Sequence, residues 1–149
     1  MTKMEILSLP TNRLFLSVIC AWVLAQGIKV VIPLVERKKP QWHRFIEPGG
    51  MPSSHAAVVI ALLTGVGILK GIHSTIFIVT LIFSLAIIYE AVGVRKEVEQ
   101  QAEVLSLLIE KLPLKSNFKI NLKKSLGHRP VEVIAGGIVG FVIALIWMK

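Results

Sequence analysis

Four long apolar runs set the pattern of the chain. They cover residues 14–35, 56–69, 75–94 and 131–148. Few residues interrupt them: Gln26 and Lys29 in the first, Glu90 near the end of the third, Glu132 near the start of the fourth. A helix that crosses a bilayer needs about 20 residues, within a range of roughly 17–25. The first, third and fourth runs meet that length. The second has 14 residues and meets it only when extended back through Met51 and forward to Ile72. It is read as a full span, with a re-entrant segment buried by the other three as the alternative. The first run is too long for the apolar part of a secretory signal, and no small-x-small cleavage site follows it. It is expected to be retained.

Two long polar stretches separate these runs, 36–54 and 95–130. The first part of the latter places Val98, Ala102, Leu105, Leu108 with Ile109, and Leu112 at intervals of three or four. That spacing predicts an amphipathic helix, lying at the membrane interface or against the bundle. Pro113 should end it, and a basic connector follows. The expected fold is therefore all-α: a membrane helical bundle of about four transmembrane helices plus one amphipathic cytoplasmic or interfacial helix. It forms a single integral membrane domain over residues 1–149.

Composition agrees and narrows the class. Apolar residues make up 54% of the 149, and mean hydropathy is +0.71. That excludes a disordered chain. The single cysteine, Cys20, excludes a disulfide scaffold. Lys and Arg number 17 against 9 acids, all of them Glu. With four spans, twelve of the cations fall in the two long polar stretches and four on the opposite side, with Lys29 inside a span. The positive-inside rule then places both long stretches in the cytoplasm. Cations that bind phosphate would bias the same count.

Candidate chemistry gathers at the ends of the runs. In Met51-Pro52-Ser53-Ser54-His55 a polar loop enters an apolar helix. Ser53 or Ser54 can cap its first turn, whose free N–H groups and dipole favour an anion. His55 stands there as a proton donor to a bound phosphate ester; the plainer alternative is a capped helix with a surface histidine. In Gly127-His128-Arg129-Pro130-Val131-Glu132 the His and Glu are four apart. A carboxylate at that spacing can orient an imidazole, although Pro130 in the first turn makes His128 a cap residue as readily as a helical one. A polar helix start is the alternative. Lys29 either snorkels to the interface or is buried against phosphate. Arg95 ends the third run and suits bidentate phosphate binding, but interface arginines are common; Glu90 is its local ion-pair candidate. Lys29, His55, Arg95 and His128 come from four segments, yet all lie toward one membrane face. His73 falls in the turn on the other side. His43 is on the correct side but has no motif around it.

These residues resemble the divergent branch of the phosphatidic acid phosphatase type 2 superfamily, the acid phosphatase/vanadium-dependent haloperoxidase-related proteins. The resemblance covers about residues 14–149. It rests on Gln26-Gly27-Ile28-Lys29, Gly49-Gly50-Met51-Pro52-Ser53-Ser54-His55, Glu90-Ala91-Val92-Gly93-Val94-Arg95, Gln101-Ala102-Glu103-Val104-Leu105 and Gly127-His128-Arg129-Pro130-Val131-Glu132-Val133. It implies Lys29 and Arg95 as phosphate ligands, and Ser53 as a hydroxyl ligand with Ser54 beside it. It implies His55 as general acid, His128 as the nucleophile that forms a phosphohistidine, and Glu132 as the carboxylate that orients it. Such a reaction uses no metal and no cofactor. The chain departs from the wider superfamily in carrying Ser54 for a Gly, Val94 for a Ser and Glu132 for an Asp. No Arg-Pro follows Lys29 at the family spacing. Arg95 and His128 are separated by 32 residues in place of a short spacer.

The expected function is a membrane-embedded phosphatase-like protein acting on a phosphorylated lipid or isoprenoid. The alternative is a non-catalytic phospholipid-binding or membrane-assembly protein that retains a phosphate pocket. A purely structural bundle is a third reading. Anionic membrane lipids are expected partners of the basic connector. Self-association is left open. Nucleic acid is not expected, since the cations lie beside membrane spans without interleaved aromatics. The expected location is a bacterial plasma membrane, with the motif face toward the cytoplasm.

Overall fold

The computed structural model describes residues 11–35, 42–45, 49–111 and 129–149. They form helices α1 (Arg13–Val35), α2 (Ser54–Lys70), α3 (Thr75–Val92), α4 (Val94–Lys111) and α5 (Pro130–Met148), with a short 3-10 helix at Trp42–Phe45. No described residue lies in a strand.

Side-chain caps fix where three of the helices begin. Asn12 Oδ1 accepts the backbone N–H groups of Leu14 and Phe15 at 2.9 and 3.2 Å. Ser53 caps α2, accepting from the Ala56 N–H at 3.4 Å. Ser74 caps α3, accepting from Phe77 at 3.3 Å. Each oxygen satisfies a donor that the first helical turn leaves without a partner.

α1, α3 and α5 are long and apolar enough to cross a membrane. α2 is shorter, with 17 residues, and does not reach the 51–72 extension read from the sequence. At 1.5 Å per residue it is about 26 Å long. It nevertheless runs beside α5 from end to end. The backbone of Gly136 abuts Ser53, that of Gly140 abuts Ala57, and a Cβ on Gly65 would lie 3.8 Å from Met148 Cε. α2 and α5 are thus parallel, and α2 traverses the same depth. α1 is antiparallel to α2, since its Lys29 meets Ser54 while its Leu14 packs on Gly65. α3 is antiparallel to α2 as well, with Ser84 Oγ donating to the Val59 carbonyl at 3.4 Å. α2 is therefore central, packed on α1, α3 and α5.

The interior is built from small residues. Ser17, Ala21, Ala25 and Lys29 recur every fourth position on α1. Ser53, Ala57, Ala61 and Gly65 do so along α2, and Glu132, Gly136, Gly140 and Ala144 on α5. Ala21, Ala25, Ala57, Ala61 and Ala144 meet in one fully buried cluster. No described Leu, Ile, Phe or Met is fully buried. The large side chains point outward instead: Ile82, Ile134 and Ile146 are each more than 60% exposed. In lipid the hydrophobic effect does not drive helices together. Close packing of small residues does, with large apolar side chains left to the acyl chains. The inside-out distribution is what that physics requires.

Two segments left open by the sequence are placed by the structure. The stretch 36–54 links the first two apolar runs. Its Trp42–Phe45 turn folds back on α1, where the Phe45 ring meets Trp22 edge-on at 5.8 Å between centroids. Trp22 lies seven residues before Lys29, about 10 Å down the helix. An edge-to-face aromatic pair accounts for the return of an otherwise polar loop. The amphipathic helix is present as α4, but it packs on α3 alone among the described elements. Val98, Leu105 and Leu108 are exposed, so its apolar stripe is not laid against the bundle. Leu112 and Pro113 lie outside the described residues.

Candidate functional site

The site is assembled where the three small-residue columns end in polar groups. Gly49 and Gly50 have φ of +91° and +77°. Only glycine adopts these angles without strain, and the two bend the chain toward Ser53. Ser53 is fully buried. Its hydroxyl caps α2, and its own N–H donates to the Glu132 carbonyl at 2.8 Å. That bond ties the start of α2 to the first turn of α5. It depends on Gly136, where any Cβ would collide with the Ser53 carbonyl oxygen.

Lys29 settles the choice left open by the sequence. It is 2% exposed and donates from Nζ to Ser54 Oγ at 3.3 Å. It does not snorkel. An ammonium inside a bundle is costly unless charge or polar groups face it. Two features meet that need. One is the Ser54 hydroxyl. The other is the Glu132 carboxylate, which attracts the ammonium. The N-termini of α2 and α5 meet at the same end, and their dipoles favour negative charge there.

Glu132 is half-buried and sits in the first turn of α5. Its Oε2 accepts the Arg129 N–H at 3.3 Å, the reciprocal half of a capping box. The carboxylate thus has a structural task besides any role toward histidine. His55 is half-buried in the first turn of α2, with Nδ1 shielded from solvent. His73 is exposed in the turn between α2 and α3, at the opposite end.

Lys29, Ser53, Ser54, His55 and Glu132 are thus brought to one end of the bundle from three helices. Arg95 differs from its expected place: α3 stops at Val92, Gly93 breaks the run, and Arg95 falls in the first turn of α4. Its backbone is at the same end as the other residues. The Arg95 and His43 side chains, and the whole of His128, lie outside the described residues. Sequence reasoning passed over Gln26, which is 5% exposed and one turn before Lys29. Its signal was present, as a polar residue interrupting an apolar run.

The family model described as "Divergent PAP2 family" matches residues 10–143. An uncharacterised membrane protein of Bacillus subtilis (strain 168), YuiD, is 37% identical over 153 aligned residues, covering 94% of this chain and 96% of that protein. No solved structure matches.

Proposed function

This chain belongs to the divergent PAP2 family of membrane proteins, and on that premise we propose that it is a phosphatase-like protein of the bacterial plasma membrane. It acts on a phosphorylated lipid or isoprenoid presented from the cytoplasmic leaflet. The observation that carries this reading is the buried Lys29 ammonium, held on Ser54 where the N-termini of α2 and α5 meet. A fixed cation and two positive dipole ends form an anion site in a region sheltered from water.

In the reaction, Lys29, Ser53, Ser54 and Arg95 hold the phosphoryl group. The His128 imidazole attacks phosphorus, and the bond to the leaving oxygen breaks as His55 gives that oxygen a proton. Water then attacks the phosphohistidine, releasing phosphate and restoring His128. Glu132 orients His128 and balances its charge. The residues supply positioning and charge, which is what phosphoryl transfer demands of a protein.

A second reading is favoured by one contact. Ser54 stands where the wider superfamily has glycine and takes up one donor of Lys29; on this reading the site holds phosphate without turning it over. Purified protein incubated with phosphatidic acid and with polyprenyl pyrophosphate, with and without His128→Ala, separates the two. Catalysis predicts phosphate release that His128→Ala abolishes. Release that survives the substitution refutes the mechanism. Vanadate binding without release on either substrate supports the binding reading.

A further inference from the structure

Gln26 is a buried polar group that none of the contacts described so far uses. It is 5% exposed, and its Oε1 is buried with no hydrogen-bond partner among the described residues. It lies between two landmarks on α1, one turn beyond Trp22 and one turn before Lys29. Residues three and four apart share a helix flank, so Gln26 stands on the membrane-core side of the buried ammonium. A carboxamide enclosed in this way is costly unless something satisfies it. The apolar runs offer ample alternatives at such a position, and Ala25 beside it shows how this helix treats a purely structural site.

We infer that Gln26 is a further phosphate-contacting residue, whose carboxamide hydrogen-bonds the bound anion together with Lys29. This rests on the reading of the Lys29 pocket as a phosphate site. The unpartnered atom is the amide's acceptor, and an anion calls for its donor; a half-turn about the last torsion exchanges O and NH2 within nearly the same space, and the NH2 group so turned donates to the anion. It adds a neutral donor below the ammonium. The anion is thereby held at two heights along α1 without a second buried charge.

The test uses the full-length protein in detergent micelles, with inorganic phosphate as the probe. Gln26→Met keeps the side-chain volume and removes the amide. The expected result is phosphate affinity weakened about tenfold or more, as for a lost hydrogen bond to a charged group. The phosphate-free thermal midpoint should be unchanged or higher. In 15N-glutamine-labelled wild-type protein, the Gln26 side-chain amide signals, identified by their loss in Gln26→Met, should shift on adding phosphate. Wild-type affinity in Gln26→Met, alongside lost binding in Lys29→Met, overturns the inference and leaves the phosphate site standing. Failure of the wild type itself to bind phosphate overturns both. If Gln26→Met does not fold, Gln26→Asn identifies the signals, and amide signals that do not move with saturating phosphate are decisive against the inference.

Discussion

The close packing of α5 on α2 yields a sharp prediction, a contrast between two glycines of α5. At Gly140 a Cβ would lie 2.9 Å from the Ala57 carbonyl carbon and 3.0 Å from its Cα. At Gly137 the nearest atom would be Ile60 Cγ1, at 3.7 Å. Carbon atoms rest comfortably at about 3.5–4.0 Å. Gly137→Ala therefore fits as it stands, whereas Gly140→Ala forces α5 away from α2 by about 1 Å against backbone that cannot rotate aside. Overpacking of this kind costs about 1–3 kcal/mol. Both substitutions share the gain of about 0.5–1 kcal/mol from replacing glycine within a helix, so it cancels between them. Gly140→Ala should be less stable than Gly137→Ala by about 1–3 kcal/mol, roughly 5- to 150-fold in the unfolding equilibrium. Unfolding in mixed micelles, followed by far-UV circular dichroism, measures the difference. Equal stabilities, or a more stable Gly140→Ala, would refute the close parallel packing of α2 on α5.

Two further predictions concern the site and its orientation. Ser53→Ala removes the α2 cap and should cost about 0.5–2 kcal/mol in the same unfolding assay, whereas Ser54→Ala leaves the cap intact but strips the buried Lys29 ammonium of its hydroxyl partner and should cost about 1.5–3 kcal/mol; wild-type stability in Ser54→Ala would mean that Lys29 does not rest on that serine. With Cys20 replaced by Ala, His73→Cys should react with a membrane-impermeant maleimide in intact cells, and Gln101→Cys only after permeabilisation. Labelling in the opposite sense would put the site on the outer face.

Much of the architecture could be read from one dimension because a bilayer is a severe solvent. Every spanning segment must satisfy its own backbone, so an apolar run of sufficient length has to be helical. The runs at 14–35, 75–94 and 131–148 became α1, α3 and α5 within a few residues. The shared end of Lys29, Ser53, Ser54, His55 and Glu132 followed from counting crossings. Run length was a poorer guide to α2, which is the shortest apolar helix and yet the central one. Its position is set by Ala57, Ala61 and Gly65, and smallness is a signal that hydropathy does not weigh.

The sequence by itself determined the fold class, the five long helices among the described residues and the end of the bundle where Lys29, Ser53, Ser54, His55 and Glu132 gather. These depend on the length, polarity and order of segments, which are local quantities. It did not determine whether Lys29 reaches for the interface or turns inward, which of two serines caps α2, where the Trp42–Phe45 turn goes, or that Gln26 is enclosed. Each of those depends on a neighbour distant in the chain: Lys29 on Ser54, Ser53 on Glu132 and Gly136, Phe45 on Trp22. The tertiary structure decided them because a polar group in a membrane bundle is stable only beside its partner. Which partner it meets is fixed by how closely the small-residue faces of α1, α2 and α5 allow the helices to approach.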